Sequence, residues 1–306
     1  MARIAYLGPQ GTFTEAALLQ LAAAGAVPGG PQFEPMPCDS AGASLEAVRS
    51  GDADYACVPI ENSIEGSVLP TLDSLSAGAA LQIYAEHTLD VSFSIVVKPG
   101  VEVSAVATVA AFPVAAAQVR RWLSSHLPNA RLVPAISNAG AAEEVSRGAA
   151  DAGVSTALAA QRWGLASLAA GVVDEPNART RFVLVGPPGP PPPGTGADRT
   201  SVVLRLNNEP GALVAAMTEF SIRDIDLTRI ESRPTRTELG TYIFFLDCVG
   251  HIDDAPVAEA LKALYRRAAD VRFLGSWPTG TAAGATPPAT DAATQWLAGL
   301  RKADRG

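Results

Sequence analysis

The side chains able to do chemistry sit in a few short polar clusters. The run Val58-Pro-Ile-Glu-Asn-Ser-Ile-Glu-Gly-Ser67 leaves an apolar stretch and sets Glu61, Asn62 and Ser63 at a turn ahead of an expected helix. Ser137-Asn138 and Ser155-Thr156 likewise follow short apolar runs and precede helical segments. Each is also what an ordinary N-cap looks like, because Ser, Thr and Asn side chains accept the free backbone N–H groups of a first helical turn. Together with the Gly8–Phe13 loop, such turns would gather several positive helix ends around one cleft, which suits an anion. Further on, Arg179-Thr180-Arg181 stands at the start of the last strand of its series. Arginines on both sides of a threonine suit a carboxylate or phosphate, or else a surface turn whose β-branched threonine opens a strand.

Other chemistry is missing its residues. The sequence has no HExxH, GxSxG or Walker A motif, and Gly8-Pro-Gln-Gly11 is not a dinucleotide fingerprint. His87, His126 and His251 are isolated, and Cys38, Cys57 and Cys248 lack CxxC spacing, so neither a metal site nor a cofactor is expected. The same cysteines form no disulfide framework and point to a reducing, cytoplasmic compartment. Lys+Arg 23 against Asp+Glu 31 gives a net charge of −8, which argues against binding nucleic acid by displacing its counterions. A content of 48% hydrophobic and 18% charged residues supports a large core. No basic-then-apolar leader opens the chain and no apolar run is long enough to span a bilayer, so no membrane contact is expected.

The elements that must position these clusters follow from patterning. The 306 residues suggest two or three domains. Residues 186–198, GPPGPPPPGTGAD, read as an extended spacer that lets the domains on either side fold alone. Ahead of it, strands alternate with helices, beginning with Arg3–Leu7 and a helix opened by the capping box Thr12–Glu15. Two such series predict two α/β lobes with parallel strands, whose carboxyl ends are where such folds bind ligands. Past the spacer the order β-α-β-β-α-β predicts a ferredoxin-like α+β unit. The expected organisation is a two-lobed domain over 1–186, a linker over 187–198, a second domain over 199–275 and a flexible tail over 276–306. In that tail Asp291 would cap a short helix with Trp296, Leu297 and Leu300 on one face.

The runs GPQGTFTEAA, VPIENSIEGSV, HTLDVSFSIVVKPG, DEPNARTRFVLVG and NNEPGALVAAMTEFSIRDIDLTRIESRP closely resemble, in this order and spacing, the monofunctional prephenate dehydratases. The resemblance covers about residues 3–275. It implies a two-lobed catalytic domain like periplasmic binding proteins, followed by an ACT regulatory domain. It implies conversion of prephenate to phenylpyruvate with loss of water and CO2, in phenylalanine biosynthesis. The departing groups leave an aromatic ring behind, so oriented donors and proximity can supply the catalysis without a cofactor.

By the same resemblance Thr180 donates to the leaving hydroxyl, Arg181 anchors a carboxylate or stiffens the motif, and Phe182 packs on the ring or simply in the core. Thr12, Asn62, Ser63, Ser155 and Thr156 are implied as substrate-binding donors, whereas Ser137-Asn138 departs from the family's frequent Ser-Thr. L-Phenylalanine is the implied allosteric effector, bound between paired ACT domains near Asn208, Glu209, Pro210, Gly211, Ala212 and Leu213 and near Glu231, Ser232, Arg233 and Pro234. A homodimer or a dimer of dimers is expected. The alternatives are an arogenate dehydratase and a non-catalytic amino-acid sensor.

Overall fold

A computed structural model of the chain describes residues 1–235, 240–279, 295, 296, 299 and 300. It opens with β1 (Ala2–Leu7), α1 (Phe13–Ala23), β2 (Phe33–Cys38), α2 (Ala41–Ser50), β3 (Tyr55–Asn62), β4 (Gly66–Ser67), α3 (Leu69–Ser76) and β5 (Gln82–Asp90). A second series runs through β6 (Phe93–Val97), β7 (Thr108–Ala111), α4 (Pro113–Gln118), α5 (Arg120–His126), β8 (Arg131–Pro134), α6 (Asn138–Arg147), β9 (Ala152–Ser155), α7 (Ala157–Arg162) and β10 (Ala166–Val172). Strand β11 (Arg179–Gly186) then returns to the first sheet. The strand orders are β2-β1-β3-β11-β5, with β4 on β3, and β10-β6-β9-β7-β8.

These are the two α/β lobes that the patterning predicts, joined by two crossings. The crossings touch where the Val91 N–H donates to the Ala178 carbonyl, at 2.7 Å. In the second lobe the pleat sends Ile95 and Val97 to one layer and Val96 to the other, where α6 and α7 pack. Helix α6 lies so close to β9 that a Cβ on Gly153 would sit 2.9 Å from the Ala141 carbonyl oxygen. Among the described residues no helix is long and apolar enough to cross a membrane.

Besides the two-residue β4, strands β2 and β10 escape the sequence patterning. Both are edge strands. Edge position tolerates the two prolines of β2, and the small residues of β10 pair with β6 through register shifts, so neither shows clean alternation. The single helix expected over Val114–Leu127 breaks at Val119. There Asp174 donates its N–H to the Gln118 carbonyl at 2.6 Å and accepts the Arg121 N–H on its carboxylate at 3.0 Å, taking groups a continuous helix would use.

After the spacer come β12 (Asp198–Arg205), α8 (Ala212–Ser221), β13 (Leu227–Pro234), β14 (Tyr242–Val249), α9 (Ala255–Arg267) and β15 (Asp270–Pro278), forming an antiparallel sheet of order β13-β14-β12-β15. The expected domain end at 275 falls inside β15, whose Trp277 is fully buried. Most of the expected tail helix lies outside the described residues. The spacer has no secondary structure, yet it is tied down: Tyr84 Oη donates to the Pro187 carbonyl at 2.6 Å, and His251 Nε2 lies 3.0 Å from the Pro192 carbonyl.

The chain divides into two compact units, Met1–Leu72 with His87–Val185, and Asp73–Glu86 with the described residues from Gly186 on. A stretch between β3 and β6 therefore groups with the C-terminal sheet, which nothing in its sequence announces. Inside that unit the Trp277 indole N–H donates to the Glu86 carboxylate at 3.0 Å, and Gly275, at φ +137°, passes so near Ile83 that a Cβ would lie 2.3 Å from its carbonyl oxygen. Gly275→Ala is expected to destabilise the protein by about 3 kcal/mol, from backbone strain and overpacking together. Denaturant unfolding measures it, and a loss below half that figure would mean the strand gives way freely.

Candidate active site

Strands β1 and β3 are parallel neighbours and β11 runs antiparallel to β3. The end of β1, the end of β3 and the start of β11 thus share one edge of the first sheet. The Gly8–Thr12 loop, the Glu61–Ser63 turn and Thr180 all lie along it.

Strand β3 does not run directly into a helix. It turns back through β4, pairing Asn62 with Gly66, and α3 starts only at Leu69. Asn62 serves this turn by accepting the N–H groups of Ile64 and Glu65 on Oδ1, at 2.8 and 3.0 Å. Those two backbone donors assign the amide, leaving Nδ2 to donate to Thr180 Oγ1 at 2.9 Å. A lone pair of the Thr180 hydroxyl is thereby occupied, and its proton is directed elsewhere. Thr180 is 9% exposed, pairs with Asn62 in the ladder and lies two residues past the crossing at Ala178.

Its neighbours hold the turn. Arg181 is buried and meets the Glu61 carboxylate at 2.9 Å, so its charge is already answered. The β3–β11 register slips between Arg181 and Phe182, a bulge of the kind that re-aims side chains beside active sites. Phe182 is buried to 2% exposure, the core position that one of the two expected readings gave it. Ser63 Oγ accepts the Arg179 N–H at 2.8 Å and lies 3.1 Å from the Asn177 carbonyl, fastening the turn to the crossing.

Between the lobes lies a cavity of about 1130 Å³, lined by Gln10, Thr12 and Phe13 from one lobe and by Phe112, Ser137 and Arg162 from the other, among others. Thr12 and Ser137 cap α1 and α6. Ser155 and Thr156, expected as donors to a ligand, are instead buried behind the wall. Ser155 donates to the Asn138 carbonyl at 2.6 Å, and Thr156 caps α7 while donating to the Gly11 carbonyl at 2.5 Å. With their protons committed to backbone carbonyls, they hold the two lobes' loops in place. Sequence reading also missed the ion pair of Arg162 with the buried Glu15, whose other oxygen accepts the Gly11 N–H at 2.5 Å. Arg162 further donates to Gln10 Oε1 at 3.0 Å.

Burial pushes the Cys57 thiol well up, and burial with Asp247 beside it pushes Cys248 to about 12, so neither offers a thiolate. Burial and the Glu15 charge raise the Tyr6 phenol, which stays neutral. Among the described residues no group of three or more His, Cys, Asp or Glu is placed to hold a metal.

The C-terminal sheet carries a second cavity, of about 390 Å³. Asn208, Glu209, Ala212 and Leu213 line it, with Thr235, Thr241 and Tyr242 across from them. Pro210 and Gly211 belong to the same loop, and Gly211 caps α8 at φ +82° with open space around a Cβ. Glu231, Ser232, Arg233 and Pro234 do not line this cavity. They lie on edge strand β13, where burial alternates and Arg233 forms a two-point pair with Asp73.

The sequence profile of the prephenate dehydratases matches residues 4–189. The chain belongs to the prephenate dehydratase family. It is accordingly an enzyme, and the ACT-domain profile matches residues 200–264 of its C-terminal unit. A prephenate dehydratase of Mycobacterium sp. (strain JLS) is 76% identical over 306 residues, covering 99% of this chain and 97% of that one. The prephenate dehydratase of Mycobacterium tuberculosis (strain ATCC 25618 / H37Rv) is 71% identical over 303 residues, covering 98% and 94%. Among solved structures, the prephenate dehydratase of Arthrobacter aurescens in complex with L-Phe superposes with a TM-score of 0.86 at 42% identity, covering 98% of this chain and 99% of that one. Within the family frame the Thr180–Asn62 pair and the interlobe cavity belong to the dehydratase region, and the second cavity to the ACT region.

Proposed function

We propose that this chain converts prephenate to phenylpyruvate, water and CO2, and that L-phenylalanine inhibits it through the ACT domain. The observation that carries the first half is the Thr180 hydroxyl, whose acceptor side is taken by an amide that two backbone N–H groups hold fixed. In the reaction the bond between the ring and its carboxylate breaks, and its electron pair enters the ring. The C4–O bond breaks as the ring becomes aromatic, CO2 departs, and the hydroxide takes a proton to become water. A threonine is far too weak an acid to supply that proton by itself. Its role is a preorganised hydrogen bond to charge developing on the leaving oxygen, with the proton coming ultimately from solvent.

Arg181, paired with Glu61, stiffens the turn and does not hold a substrate carboxylate. Arg162 lines the cavity with its charge answered by Glu15, so the starts of α1 and α6 are what would receive a carboxylate there. Appearance of phenylpyruvate absorbance when purified protein meets prephenate tests the reading. Turnover of arogenate with none of prephenate would move the chain to the arogenate dehydratases, and no turnover of either would leave an amino-acid sensor.

For the effector, the second cavity and the L-Phe complex of the Arthrobacter relative support phenylalanine at Asn208–Leu213. Strand β13 is an open edge that a second copy can pair with, bringing Glu231–Pro234 toward that loop. This gives a homodimer or a dimer of dimers, working in the cytoplasm. Gly211→Val is expected to weaken inhibition by about tenfold, a typical coupling size. It acts by driving the loop out of its left-handed turn, since nothing stands near the added side chain to be crowded. A phenylalanine inhibition curve measures it, and an unchanged midpoint would remove the loop from the effector site.

A further inference from the structure

Helix α3 belongs to both units, leaving the first at Leu72 and entering the second at Asp73. Its second half is gripped by the C-terminal sheet from both outer strands. From β13, Arg233 forms a fork-to-fork pair with Asp73, Nε to Oδ1 and the terminal nitrogen to Oδ2, each at 3.0 Å. Both side chains are partly buried, which limits screening, and the bond to Asp73 raises the guanidinium above its ordinary range. From β15, Arg272 donates to the carbonyls of Leu75, Ala77 and Gly78, all at 3.1 Å. The Leu75 carbonyl is one of those that a helix end leaves without partners, and Ala77 and Gly78 follow directly after that end.

The first half of α3 is fastened to the active-site strand. Thr71 Oγ1 donates to the Pro59 carbonyl at 2.7 Å, and the Val68 N–H donates to the Ile60 carbonyl at 2.9 Å. Pro59 and Ile60 are at the bulge where β3 slips against β11, and two residues later Asn62 holds Thr180. A helix of eight residues is a stiff rod about 12 Å long. Displacing its far end moves its near end, and the near end carries the bonds that set Asn62.

We propose that Asp73 is a positioning residue for the dehydratase reaction: through its pair with Arg233 it sets α3, and through α3 the β3–β4 turn that aims Asn62 at Thr180. Arg233 then acts as the link between strand β13 and the reacting centre, not as a ligand of the effector. The inference rests on the phenylalanine reading only for what displaces β13.

The test uses the full-length protein. Asp73→Asn keeps shape and removes charge. It is expected to lower kcat about fivefold with KM nearly unchanged, a size usual for residues acting at a distance. The amides of Ile64 and Glu65, which bond to Asn62, are expected to exchange hydrogen faster. Asp73→Glu should restore most of kcat, which a simple packing role would not do. Phenylalanine should still bind by calorimetry, while its inhibition midpoint moves about tenfold. Unchanged kcat and unchanged exchange at Ile64 and Glu65 would overturn the proposal, as would loss of phenylalanine binding along with the inhibition. If the wild-type enzyme ignores phenylalanine, the regulatory reading fails alone, and kcat with exchange still decides the positioning role. If Asp73→Asn does not fold, Arg233→Lys, which keeps the charge and loses the fork, is read by the same measurements.

Discussion

Thr180→Ala is expected to lower kcat by about 10²–10³, the usual loss for one preorganised donor to a developing oxyanion. The hydroxyl is placed before substrate arrives: the ladder pairs Thr180 with Asn62, and the Asn62 amide is fixed by Ile64 and Glu65. A donor that needs no reorganisation contributes mainly in the transition state, so kcat and kcat/KM should fall together. Thr180→Ser keeps the oxygen and should stay within about tenfold of wild type. Thr180→Val keeps the shape and should match the alanine variant, which separates the hydroxyl from the packing of the strand. Steady-state rates of phenylpyruvate formation measure all three. Turnover near wild type in Thr180→Val would remove Thr180 from the chemistry.

Local signals in the sequence carried well. Thr12 caps α1 as its spacing with Glu15 predicts, although the Glu15 carboxylate reaches the N–H of Gly11, one residue ahead of the cap. Ser137 and Thr156 cap their helices too. Asn62 misled in one respect, because an Asx turn and a helix cap use the same side-chain chemistry and differ only in where the chain goes next. What sequence patterning does not contain is contact between distant positions. Asn62 meets Thr180 across 118 residues, Arg162 meets Glu15 across 147, and Arg233 meets Asp73 across 160. The burial of Ser155 and Thr156 behind the cavity wall is of the same kind, since it depends on the Asn138 and Gly11 carbonyls arriving from other loops. The resemblance to a family named the residues, and the fold adds the partners each of them meets.

A chain cut after Gly186 is expected to lose most of its turnover because it loses the partners of a segment that precedes the cut. The proline-rich run invites the opposite expectation, a catalytic domain that works alone. Yet Asp73–Glu86 groups with the C-terminal unit, and the cut removes Arg233, Arg272, Arg199 and Trp277 from around it. The freed charges of Asp73 and Glu86 cost little, since water solvates them once exposed. The apolar loss dominates. Leu75, Leu81 and Ile83 are buried, and full exposure of such side chains costs about 1.5–3 kcal/mol each. Their sum, about 5–9 kcal/mol as an upper bound, rivals the whole stability of an ordinary domain. Losing even about 5 kcal/mol would lower Tm by roughly 10–20 °C at this size. Circular-dichroism melting and phenylpyruvate formation, run on residues 1–186 beside the full chain, give the answer. Melting within a few degrees of the full chain, with full turnover, would mean that the first unit holds Asp73–Glu86 unaided. That result would also break the physical route from β13 to Asn62, because α3 would then need nothing from the C-terminal sheet to keep its place.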